Sequence, residues 1–113
     1  MIDVVEASIA QLRGALETGD ATAVQLVAAY VARIDAYDGP ATATALNAVI
    51  VRNPQAIAEA AESDARRAAG RVRGPLDGIP YTAKNSYLVA GLTAAAGSPA
   101  FAELVAQRDA FTI

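Results

Sequence analysis

The sequence predicts an α/β fold built mainly of helices with short strands, and three observations carry that expectation. Two successive apolar stripes recur at helical spacing across the first third of the 113-residue chain. A β-branched run, Leu46 to Val51, is bounded by turn-forming residues. A loop dense in glycine and proline then leads through Tyr81-Thr82-Ala83 into Lys84, which reads as a strand end. The composition is apolar enough to fold, at 54% hydrophobic residues, but 29 residues are alanine and only two Phe, four Tyr and no Trp supply large anchors. Alanine buries little area, so the helices are expected to present faces that need a further surface to pack on.

Taken in order, Val5, Ile9, Leu12 and Leu16 form one helical stripe. Gly19 should end that helix, and Asp20 is placed to cap the next. The second helix is expected over about Ala21 to Tyr37, with Leu26, Val27, Tyr30, Val31 and Ile34 on one side. Asp38-Gly39-Pro40 should stop it, through a left-handed glycine and a proline that lacks a donor. After the strand candidate at 46–51, Asn53 and Pro54 suit a helix start. That third helix, roughly Pro54 to Ala69, is mostly alanine and charge and should add little core. A loop dense in glycine and proline follows at Arg71 to Pro80 and a small-residue loop at Gly91 to Pro99, and Asp109 reads as the cap of a further helix.

Charge and composition exclude several classes. Nine basic against twelve acidic residues give a net charge of −3, the opposite of the basic excess that drives nucleic-acid binding. Cysteine and histidine are absent, which removes disulfides, zinc fingers, His-metal sites and Ser-His-Asp catalysis within these residues. The sequence thus calls for no cofactor and no metal. Met1 to Ser8 carries Asp3 and Glu6 and lacks the basic and apolar regions of a secretory signal. No run reaches the roughly 18 apolar residues of a membrane-spanning helix. A cytoplasmic setting, without membrane or nucleic-acid partners, is the expectation.

Lys84 stands apart because the other eight basic residues are all arginine. In an interior strand end, desolvation would lower its ammonium pKa and make the amine a usable base or nucleophile. Arginine cannot take that role, because its proton is effectively never lost. The structural alternative is a lysine that merely blunts an exposed strand edge. Other polar groups invite plainer readings. Glu59, Glu62 and Asp64 suit a solvated helix face, and Arg66, Arg67, Arg71 and Arg73 complement a helix C-terminus. Ser86 and Ser98 have no histidine to activate them, and Gly97-Ser98 could offer backbone donors to a ligand.

The segment Gly74-Pro75-Leu76-Asp77-Gly78-Ile79-Pro80-Tyr81-Thr82-Ala83-Lys84-Asn85 resembles the opening motif of the amidase signature family. Gly91-Leu92-Thr93, Gly97-Ser98 and Arg108-Asp109-Ala110 are similar to that family in order and spacing, as are the leading helices. The resemblance implies a mixed β-sheet core flanked by helices, of which residues 1–113 form an N-terminal fragment. It implies serine-dependent hydrolysis of a small carboxamide, with Lys84 as the catalytic lysine. The remainder of the domain would supply both serines, one of them in a cis peptide. The fragment alone is then expected to be inactive, and a homodimer is compatible with the family. Asn85 stands where many relatives carry aspartate, and Asp77 where a bulkier residue is common. Three rivals stay open: an amidotransferase A-type subunit passing ammonia from glutamine to a charged tRNA, a Schiff-base lysine enzyme, and a non-catalytic α/β interaction module.

Overall fold

The first predicted helix forms as α1 (Ile9–Thr18) in a computed structural model that describes residues 2–113. Its start is a reciprocal capping pair. The Ser8 hydroxyl accepts the Gln11 N–H at 3.3 Å, and the Gln11 side chain accepts the Ser8 N–H at 2.8 Å. Gly19 ends it in the left-handed region, at φ +80°. Leu12 and Leu16 are buried, but Val5 and Ile9 are 48% and 58% exposed, because Val5 lies in a turn ahead of the helix.

Helix α2 (Ala23–Asp38) is capped by Thr22 rather than Asp20. Thr22 and Gln25 exchange side-chain bonds with each other's N–H groups at 3.1 and 3.0 Å, a pairing that Asp20 is too far from the helix to make. Asp20 instead accepts the Thr18 hydroxyl at 2.7 Å. Replacing Thr22 by alanine should cost about 1 kcal/mol in urea unfolding. At the far end, Gly39 is extended at φ −63°, not left-handed. Glycine is required there for space: a Cβ would lie 2.6 Å from the Asp35 carbonyl oxygen.

No strand forms at 46–51. Leu46 is 85% exposed, and the Leu46 and Ala48 N–H groups donate to the Asp38 carboxylate at 2.6 and 2.8 Å. A strand needs a ladder partner, and here a side chain takes the donors. The α/β expectation therefore holds only in part. Among the described residues the chain is helical, with one isolated antiparallel bridge, Thr93 to Val105.

Helix α3 (Ala56–Ala68) begins after Gln55, two residues later than the predicted start, and Gln55 makes no side-chain cap. Ile57 remains exposed, and the face that packs is small: Ala60 and Ser63 are buried. Asp64 sits against the start of α2 and accepts the Ala23 and Val24 N–H groups at 2.7 and 3.1 Å. A carboxylate there meets orphan donors and the positive end of the helix dipole. Asp64 is thus a cap supplied across helices rather than part of a solvated face.

These helices belong to one compact unit, the chain up to Ala48 together with Pro54–Pro80. Its core gathers Val4, Leu12, Leu16, Ala21, Ala23, Leu26 and Ala60, with Ile79 packed against it. Leu16 and Leu26 are its largest fully buried side chains.

The second unit is Val49–Asn53 with Tyr81–Ile113. Residues 91–94 run beside 104–106: Gly91 and Ala94 donate to Ala106 and Leu104 at 2.9 Å, and Ala106 donates back to Leu92 at 3.0 Å. A 3₁₀ turn covers Pro99–Phe101. The helix expected from Asp109 is absent. Its carboxylate accepts the Ala90 N–H at 2.8 Å, and the last residues close a single turn from Ile113 to Ala110.

Candidate functional site

The segment that carries the family resemblance starts where α3 stops. Gly70, at φ +67°, turns the chain, and Arg71 donates back to the Arg66 carbonyl at 2.8 Å. Two tight turns follow, closed by Asp77 N–H to Gly74 at 3.2 Å and Ile79 N–H to Leu76 at 3.0 Å.

Asp77 organises this loop. Its side chain is 5% exposed. Oδ1 accepts the Ser63 hydroxyl and Arg66 Nη2, each at 2.7 Å. Oδ2 accepts Arg66 Nε at 3.1 Å and the Arg73 N–H at 3.0 Å, so the guanidinium grips the carboxylate as a fork. Its carbonyl oxygen also accepts Arg67 Nη2 at 2.8 Å. The Arg66 hydrogen bonds, helped by Arg73 and Ser63, hold the Asp77 carboxyl well below the usual carboxylate range against the opposing effect of burial. Arg66 is correspondingly pushed up by the same pair. The sequence carried an unread signal for this hub: Asp77 is the one acidic residue between Asp64 and Glu103, a stretch with five basic side chains.

Gly78 seats the loop on the helices. A Cβ there would lie 2.9 Å from Ser63 Oγ and 3.3 Å from both Ala23 Cβ and Leu16 Cδ1, at φ +93°. Gly78→Ala therefore meets strain and contact together. It is expected to destabilise the protein by about 2–3 kcal/mol in urea unfolding.

Lys84 lies in the second unit. Residues 81–84 form no strand, and Lys84 is exposed rather than interior. The physical reason is local: the chain enters a turn at Lys84 instead of continuing extended, and Tyr81 is 68% exposed. Lys84 opens a turn in which its carbonyl accepts the Tyr87 N–H at 2.8 Å. The Asn85 carbonyl accepts the Ala96 N–H at 3.2 Å. Ala96 holds φ +48° beside Gly97 at φ +76°, a conformation that costs a non-glycine residue about 1 kcal/mol. Ser98 closes this turn by donating to Ala95 at 2.8 Å.

The remaining candidates separate. Arg66 and Arg67 are engaged by Asp77, while Arg71 and Arg73 stay exposed and line an open depression with Glu62, Ala65 and Arg66. Glu62 is 4.0 Å from Arg66, a surface pair worth little. Ser86 is exposed, and Ser98 contributes backbone bonds to its turn.

The Amidase family profile matches residues 25–113, so the chain belongs to the amidase family. It is 36% identical over 109 residues to the A-type subunit of the glutamyl-tRNA(Gln) amidotransferase of Thioalkalivibrio sulfidiphilus, covering 96% of this chain and 21% of that protein. The protein of the same name from Caulobacter is 40% identical over 102 residues, covering 87% and 19%. Among solved structures, the peptide amidase from Stenotrophomonas maltophilia superposes with a TM-score of 0.86 at 40% identity, over 93% of this chain and 21% of that one. A peptide amidase solved with the competitive inhibitor chymostatin superposes with the same TM-score and identity. The chain spans about a fifth of the length of these relatives.

Proposed function

We propose that this chain is the lysine-bearing, N-terminal part of an amide-bond hydrolase of the Ser-cisSer-Lys type. One observation supports it above the others: the Gly74–Asn85 motif, with its single lysine, lies inside the segment matched by the amidase family. The rest of the domain supplies both serines and completes the mixed β-sheet core, and the whole works in the cytoplasm on a small carboxamide. Burial of Lys84 by that remainder would favour the neutral amine.

The chemistry follows from that amine. Neutral Lys84 Nζ takes the proton of the bridging serine, which takes that of the nucleophilic serine as its oxygen attacks the amide carbon. Backbone N–H groups stabilise the oxyanion. The proton passes to the leaving amine as the C–N bond breaks, and water then hydrolyses the acyl-serine.

The test is amide hydrolysis by the protein carrying the serine segment, with and without Lys84→Met. Loss of turnover and acylation of a serine support the reading. Borohydride trapping of substrate on Lys84 would replace it with Schiff-base chemistry. Residues 1–113 alone are expected to release no amine, and robust turnover from them would place the chemistry elsewhere. A second reading, an amidotransferase A-type subunit, is favoured by the relatives of that name. Co-purifying partner proteins and glutamine-dependent ammonia transfer to a charged tRNA would select it.

A further inference from the structure

Ala96 is exposed, so its methyl group packs on little, yet it holds a backbone conformation that side chains other than glycine rarely adopt. Two attachments keep it there. On one side, residues 91–94 are tied to 104–106, with Ala94 itself buried. On the other, the Ala96 N–H donates to the carbonyl of Asn85, the residue that follows Lys84. The Ser98 to Ala95 bond closes the turn between these anchors. Strain of this kind persists only where the surroundings over-determine it.

We infer that Ala96 is a positioning residue for the lysine: its left-handed backbone aims an N–H at the Asn85 carbonyl and so holds the Asn85–Ser86 peptide, one residue past Lys84. The inference rests on the proposed role of Lys84 as the base. Only the backbone of Ala96 acts, so tolerance at this position follows left-handed propensity and not side-chain volume. Asparagine and valine separate the two: they are similar in size, but asparagine accepts positive φ and a β-branched residue does not. Releasing that carbonyl lets the chain turn at Lys84 and moves Nζ relative to the serines, which slows proton transfer without changing how substrate is held.

The experiment uses the protein that carries the serine segment. Ala96→Gly and Ala96→Asn should keep kcat within about twofold, whereas Ala96→Val should lower kcat about tenfold or more with KM within about twofold. Gly19→Ala is the control. It imposes a side chain at φ +80° in open space at the end of α1, outside the segments that hold Ala96. It should lose thermal stability without the selective fall in kcat. If Ala96→Val does not fold, Ala96→Ser supplies a milder strain, read as kcat per folded molecule against Ala96→Asn. Equal kcat for asparagine and valine, or a matching kcat loss in Gly19→Ala, overturns the inference. Lys84→Met, run alongside, keeps the two ideas apart. If it retains turnover, the lysine's role and this inference fall together. If it is inactive while Ala96→Val behaves as wild type, only the positioning role fails.

Discussion

Lys84→Met in the protein with its serine segment is expected to lower kcat about 10³-fold or more while leaving the circular dichroism spectrum unchanged. General-base transfer contributes roughly 10²–10⁴-fold, and in a relay each later proton step waits on the first. Lys84 opens an exposed turn and supports the chain around it through its backbone carbonyl, which methionine retains, so folding has little to lose. Lys84→Arg sharpens the test. Arginine keeps the positive charge but does not release its proton, so it should be as inactive as methionine. Recovery of turnover by arginine would show that the position needs charge rather than a base. Near-normal rates in Lys84→Met would remove the hydrolase mechanism.

Asp77→Ala should be the most damaging substitution for stability, by about 2–4 kcal/mol, and lower the thermal midpoint by roughly 10 °C or more. It strips the partners from Ser63, the Arg66 fork and the Arg73 N–H at one stroke. The range lies below the loss for a fully sealed pair because Arg66 is 21% exposed and can reach water. The pH dependence has a definite sign. The folded-state pKa of Asp77 is depressed, so the unfolded chain binds the proton more readily. Its stabilisation is fully present above the ordinary carboxylate value of 3.8 and is lost as pH falls from there toward the depressed value. Urea midpoints measured between pH 7 and pH 3 should therefore drop at the acid end, and Asp77→Asn should flatten that drop. An unchanged acid slope in Asp77→Asn would show that other carboxylates set it.

Legibility differed by the range of the interaction. The helix stripes and Gly19 were readable because period and left-handed punctuation are properties of adjacent residues. The caps were misassigned where a reciprocal partner three residues on outweighed a nearer acid, as Thr22 with Gln25 outweighed Asp20. The strand at 46–51 and the helix from Asp109 failed for a different reason. In each, a carboxylate bound a backbone N–H eight to nineteen residues away, and periodicity does not report such bonds.

From residue order alone came the three helices, the small-residue core, the absence of histidine chemistry and the isolation of Lys84 as the single lysine among arginines. Those depend on local spacing and on what each side chain can chemically do. Only the folded chain revealed that Asp77 grips α3, that Gly78 lies where a methyl group would strike Ser63, and that Ala96 reaches back to the residue beside the lysine. Each of these joins residues eleven or more positions apart, and contacts at that distance are decided by packing.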